Sequence, residues 1–267
     1  MERYGAPARK ASAKAGGPAR DGERQRGIDR VIALLDALLR HGSPARPGEI
    51  ARMLGAPRST VYEIVGRLVE AELLETVGSE GAVYFGRAMH LYGHAYGRHD
   101  AAWRRIAEAL TRLAEDAGAT AQVCTVRGNK YIVFDSRDGP GPFRITSAIG
   151  AEVPIPWTAS GRLFVGHMDR DAIRRFIPPE DFLLPDGREI PVETFLDEVD
   201  EARRLGYAET RGLADRFTHC IAAPIPDREG IVRTTLCLVL SIDVPEERRR
   251  ELIAMLRERA APLSAPW

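Results

Sequence analysis

Between Pro47 and Leu74 the chain reads PGEIARMLGAPRSTVYEIVGRLVEAELL, a stretch that leaves few folds open. Ile50, Met53 and Leu54 put one apolar stripe on a short helix, and Gly55-Ala56-Pro57 breaks it. Val61, Ile64, Val65, Leu68 and Val69 then recur at i, i+3, i+4, i+7 and i+8, the period of a second amphipathic helix. Two short helices across a tight turn predict a helix-turn-helix. Between the buried positions of the second helix lie Arg58, Ser59, Thr60, Tyr62 and Arg67, side chains that can reach phosphates and base edges. Thr60 with Glu63 also has the spacing of a capping box, which would tie up the Thr60 hydroxyl within its own helix.

The flanks extend this unit. Gly27 to Arg40 predicts a preceding helix with Ile28, Val31, Ile32, Leu35, Leu38 and Leu39 on its apolar side, closed by His41-Gly42-Ser43-Pro44. After Leu74, the run ETVGSEGAVYFG has two extended pieces around Gly78-Ser79-Glu80-Gly81, a hairpin signal that makes Ser79 the tip of a wing. A winged helix-turn-helix is expected over 27–86, with Arg58, Ser59, Thr60, Tyr62, Arg67 and Ser79 as its DNA-binding residues.

Charge sets a condition on that expectation. The whole chain balances 38 basic against 38 acidic residues, which argues against indiscriminate nucleic-acid binding. Residues 27–99 carry eight Arg against eight acids, so one head alone should hold DNA weakly and two must act together. The first 26 residues form a basic, Ala/Gly-rich tail, too polar to bury a core and expected to be disordered. It is either a solvated leader or an arm lying along phosphates.

Hydrophobic residues at 44% and charged residues at 28% suit a soluble globular chain, and 267 residues suffice for two domains. No apolar run approaches the roughly 20 residues that span a bilayer. The N-terminus lacks the apolar core of a secretory signal, so no membrane association and a cytoplasmic location are expected. Cys124, Cys220 and Cys237 are too few and scattered for a disulfide framework, and no C-x-x-C occurs.

Helical character over 87–100 predicts a linker helix, continuing into Trp103, Ile106, Leu110 and Leu113. From Ala119 the period turns extended. Gln122–Val126 and Lys130–Asp135 flank the turn Arg127-Gly128-Asn129, Phe143–Ser147 is a further strand, and His219–Pro226 and Val232–Ser241 flank Asp227–Gly230. Helices are expected over Asp169–Ile177, Glu193–Leu205 and after Pro245. Residues 101–267 therefore read as an α+β domain with a mostly antiparallel sheet.

Within it, no G-x-S-x-G, H-E-x-x-H, P-loop or dinucleotide fingerprint occurs, so neither an enzyme nor a bound cofactor is expected. His219 and Cys220 are neighbours, but adjacent residues on a strand point to opposite faces and cannot act as base and nucleophile. His90 and His94 at i, i+4 lack a third ligand, so no metal is expected. The loop 154–161 delivers Thr158, Ser160 and backbone N–H groups to a helix start, which either favours an anion or merely caps the helix.

Three stretches together resemble the IclR (isocitrate lyase regulator) family of bacterial transcription regulators: EIARMLGAPRSTVYEIVGRLVEAELL, GAEVPIPWTASGRLFVGHM and EARRLGYAETRGLADRFTHCIAAPIPD. The resemblance, spanning about residues 27 to 260, implies a GAF-like effector domain and a dimer or tetramer (a dimer of dimers) on a palindromic double-stranded DNA operator, switched by a small organic acid. It implies effector contacts at Ile145, Val153, Ala159, Ser160, Thr210, Cys220, Cys237 and Val239. Cys237 and Val239 stand where carboxylate-binding members carry hydroxyls, and Trp157 is bulky, so an aromatic or otherwise apolar acid is favoured over a two-carbon one. Glu63 replaces a basic residue common after the aromatic position. Two alternatives follow from the residues: Cys220 and Cys237 as a redox sensor, and an enzyme using the α+β domain.

Overall fold

The computed structural model describes residues 18–141 and 149–265, with 18–26 and His99 described by their backbone alone. The strand expected over Phe143–Ser147 lies outside the described residues, as do positions 1–17 of the basic tail.

Helix α1 runs Pro18–His41, beginning at Pro18 rather than at Gly27. Helices α2 (Pro47–Leu54) and α3 (Arg58–Glu70) follow, then strands β1 (Leu74–Val77) and β2 (Ala82–Phe85). Gly55 closes α2 in the left-handed region at φ 58°, a conformation that costs glycine nothing, and Pro57, two residues on, cannot continue the helix. Leu34 and Leu38 of α1, Ile50 of α2, Val61, Val65 and Leu68 of α3, and Leu74 and Val83 of the wing share one core. The apolar period across Pro47–Leu74 thus becomes two helix faces that meet α1 and the hairpin. At about 2 kcal/mol per buried aliphatic side chain, this small core carries most of what holds the unit together.

Helix α4 (Arg87–His99) leaves the wing and stops at Asp100, whose extended backbone starts α5 (Ala101–Ala117). The Asp100 carboxylate accepts from the N–H groups of Ala102 and Trp103 at 2.8 and 3.2 Å, so the break is a true N-cap. What looked like one continuous helical run is two helices.

The second domain is built on a six-stranded antiparallel sheet in the order β5-β4-β3-β8-β7-β6. Its strands are β3 (Thr120–Arg127), β4 (Lys130–Arg137), β5 (Glu152–Pro154), β6 (Ala208–Arg211), β7 (Thr218–Pro226) and β8 (Val232–Ser241). Four helices complete it: α6 (Ala159–Phe164), α7 (Arg170–Phe176), α8 (Val192–Leu205) and α9 (Glu246–Ala260). The alternation of β8 decides what lies where. Leu236, Leu238 and Leu240 pack with Ile106, Leu110 and Leu113 of α5 and Leu252, Ile253 and Leu256 of α9. Cys237 faces the other way, towards Ala159, Leu163 and Phe164 of α6. Both faces of the sheet are therefore covered. No helix among the described residues is long and apolar enough to cross a membrane.

Candidate DNA-reading helix and effector cavity

On α3, Val61, Val65 and Leu68 point inward, which leaves Arg58, Ser59, Tyr62 and Arg67 exposed on the outer face. Thr60 is half-buried. The capping box expected between Thr60 and Glu63 does not form. The helix starts at Arg58 with Pro57 as its N-cap, so Thr60 sits in the third position and no side chain caps this end. The reciprocal contact lies on α2 instead, where the Glu49 carboxylate accepts from the Arg46 N–H at 2.9 Å. Thr60 is thereby released from the role that competed with DNA. Arg67 lies 3.6 Å from Glu70, while Arg58 makes no ion pair among the described residues. Ser79 is exposed at the wing tip, and Arg46 holds the wing by an ion pair to Glu80.

The second site is a cavity of about 250 Å³ between the sheet and the segment 151–160. Val153, Ala159, Ser160, Thr210, Cys220, Cys237 and Val239, seven of the eight expected effector contacts, all line it; Ile145 lies outside the described residues. The register explains the convergence. Cys220 pairs with Val239 across β7 and β8, Thr210 pairs with Cys220 across β6 and β7, and Gln122 pairs with Cys237 across β3 and β8. Side chains directly opposite on antiparallel strands share a face.

The ceiling of the cavity is a 3₁₀ turn, Ile155–Trp157, followed by α6. Buried Arg162 fixes it by donating to the Pro156 and Thr158 carbonyls at 3.0 and 2.7 Å and to Glu198 at 2.6 Å. Burial lowers the Arg162 pKa, and the Glu198 carboxylate opposes that shift. Thr158 Oγ1 accepts from the Gly161 N–H at 2.9 Å, so Thr158 is the cap and that donor is withdrawn from any anion. The Ser160 hydroxyl accepts from Thr235 at 2.8 Å. The loop is a structural cap first.

Gln122, Tyr131, Val133, Leu213, Asp215 and Thr218 also line the cavity and had not been singled out from the sequence. Burial, reinforced by the neighbouring thiols, raises the Tyr131 phenol well above its usual range. Burial pushes Cys220 up to about 11, while a hydrogen bond with Cys124 and burial raise Cys237 as well. These groups stay protonated and neutral near pH 7.

His219 and Cys220 do take opposite faces of β7. Cys220 enters the cavity, whereas His219 Nε2 lies 2.9 Å from Glu209 on the far side. His90 and His94 stack along α4 with ring centroids 6.4 Å apart, and no group of three metal-ligating residues occurs among the described residues.

Comparison with known proteins places both sites in context. Residues 27–78 match the family model described as the IclR helix-turn-helix domain, and residues 94–265 match that of the bacterial transcriptional regulator IclR C-terminal domain. The HTH-type transcriptional regulator KdgR of Escherichia coli is 32% identical over 158 residues, which cover 58% of this chain and 59% of that protein's length. An IclR transcriptional regulator from Alicyclobacillus acidocaldarius superposes with a TM-score of 0.81 at 22% identity, covering 90% of this chain and 97% of that one. An IclR homolog from Microbacterium hydrocarbonoxydans, complexed with 4-hydroxybenzoate, superposes with a TM-score of 0.69 at 21% identity, covering 88% of this chain and 96% of that one.

Proposed function

Since the chain belongs to the IclR family of bacterial transcriptional regulators, we propose that it binds a palindromic operator as a dimer and releases or tightens that grip when a small organic acid fills the cavity. The observation that carries this reading is the convergence of seven expected effector contacts on one mainly apolar pocket. At the packing density of a protein interior, a space of this size takes a ligand of on the order of ten non-hydrogen atoms. A single aromatic ring bearing one carboxylate has that size, and the Microbacterium neighbour holds such a molecule.

The proposed division is a reading head over 27–86, a linker over 87–100 and an effector domain over 101–267. The wing ending at Phe85 and the N-cap at Asp100 support these bounds. Pairing of two chains is supported by Ile28 and Ile32 on α1 and Leu91, Tyr92 and Tyr96 on α4, large apolar side chains left exposed on the head and linker. Two copies of α3, with Arg58, Ser59, Thr60, Tyr62 and Arg67 outward, would enter successive major grooves about 34 Å apart.

Footprinting on DNA upstream of this gene and its neighbours tests the reading. Two protected half-sites about one helical turn apart are expected. An aromatic acid that shifts the footprint of the wild type should leave that of Val239→Phe unmoved, because the larger side chain fills the cavity. A single unpaired half-site, or an unchanged response in Val239→Phe, refutes it.

A further inference from the structure

The polar groups of the cavity wall are almost all engaged within the protein. Thr158 caps α6, Ser160 accepts from Thr235, and the Thr218 hydroxyl donates to the Asp215 carbonyl at 3.1 Å. Trp157 Nε1 donates to the Asp181 carbonyl at 2.7 Å. The Tyr131 hydroxyl lies 2.9 Å from Cys124 Sγ and donates to Gln122 Oε1 at 3.5 Å. Because burial keeps Tyr131 protonated, its hydroxyl is a donor, and it draws the carbonyl end of the Gln122 amide towards itself.

The amide nitrogen is what remains. Gln122 is 2% exposed, and its Nε2 is one of two buried side-chain polar atoms among the described residues with no hydrogen-bond partner. The other, Thr234 Oγ1, does not line the cavity. A buried donor without a partner is costly, and proteins keep few of them. Thr120 and Cys124, which share its side of β3, have hydroxyl and thiol contacts of their own, so nothing on the strand competes for this nitrogen. Gln122 and its cross-strand partner Cys237 both line the cavity, which is therefore the side from which an acceptor for this nitrogen would come.

We propose that Gln122 is the specificity-determining residue of the effector cavity, donating from Nε2 to an oxygen acceptor at the inner end of a compact apolar ligand. The inference rests on the effector reading of the cavity and deepens it. The acceptor is a carbonyl or carboxylate oxygen on a one-ring body. A ligand lacking that oxygen leaves the amide orphaned and binds more weakly.

Benzoate, benzaldehyde and toluene form the test series, titrated calorimetrically into the full-length wild type and Gln122→Leu. The three share a ring and differ in carrying a carboxylate, a carbonyl or no acceptor. The wild type is expected to prefer the two oxygen-bearing probes, and Gln122→Leu to lose about tenfold for them while toluene is unchanged or tighter, the worth of one hydrogen bond. Loss confined to benzoate assigns the acceptor as a carboxylate; loss for both assigns it as any carbonyl oxygen. Without ligand, Gln122→Leu should melt at a higher temperature than the wild type, since it removes an unsatisfied donor. A lower melting temperature means the amide is structural and overturns the proposal. So does an unchanged preference in Gln122→Leu, which leaves the amide satisfied by water. Binding of none of the three by the wild type overturns the effector reading together with it.

Discussion

Leu39 of the DNA-reading head packs directly on Gly150, the residue next to the cavity wall. A Cβ built on Gly150 would lie 2.6 Å from Leu39 Cδ2, and the backbone there is left-handed at φ +82°. The Gly150 N–H donates to the Val133 carbonyl at 2.9 Å, and both Val133 and Ala151 line the cavity. Close by, Arg127 lies 3.7 Å from Asp36 of α1 and 3.7 Å from Glu152 of β5. Those exposed ion pairs are worth about 0–1 kcal/mol.

That contact makes a prediction by double-mutant cycle. Gly150→Ala combines left-handed strain with a collision and should destabilise by about 1–3 kcal/mol. Leu39→Ala removes the obstacle, so the double variant should be more stable than the sum of the singles by at least about 0.5 kcal/mol. Urea unfolding of the four proteins measures this. Additive effects would mean that Leu39 and Gly150 do not meet in solution.

Arg58 is the basic residue of α3 with no ion pair among the described residues, whereas Arg67 is shared with Glu70. Arg58→Ala should therefore weaken operator binding more than Arg67→Ala, by about 1–3 kcal/mol if it reads a base. If it holds only a phosphate, the loss should be uniform across sequences and the salt slope should fall by about one. Gel shifts at several salt concentrations separate the two. Equal affinity for Arg58→Ala and wild type would remove α3 from the groove.

The thiol alternative also makes a prediction. With Cys220 raised to about 11, its thiolate fraction at pH 7 is on the order of one in ten thousand. Cys124 and Cys237 are buried. Native protein should thus react with iodoacetamide far more slowly than unfolded protein, and Cys220→Ser with Cys237→Ser should keep operator binding. Rapid labelling of Cys220 at neutral pH, with loss of operator binding, would restore the redox reading.

The reading head was legible because its apolar period is strong and its breaks are Gly and Pro, whose effects are local. The Thr60–Glu63 spacing misled for a related reason. Capping is decided by where a helix begins, and Pro57 starts α3 three residues before Thr60. The effector domain yielded its strands but not its faces. β3 is buried along Thr120–Thr125 on both sides, so no alternation separates Gln122, which looks into the cavity, from Val123, which packs under α5. Only the pairing of Gln122 with Cys237 settles that. The short edge strand Ala208–Arg211, AETR, had too few apolar residues to register as a strand at all.

On the far face of the sheet, Glu209 accepts from Arg249 at 2.7 and 2.8 Å and meets His219 Nε2 at 2.9 Å. The hydrogen bond to His219, then those from Arg249, hold the Glu209 carboxyl below its ordinary value of 4.5, against the opposing pull of burial. A carboxyl whose pKa is lower folded than unfolded adds stability above the unfolded value, and that stability drains away as the pH falls through the folded value. Glu209→Gln should therefore be less stable than the wild type at pH 7, and the gap should narrow below about pH 4.5. Urea midpoints between pH 7 and pH 3 measure it. A gap that stays constant with pH would show that Glu209 holds the end of β6 by packing rather than by its charge.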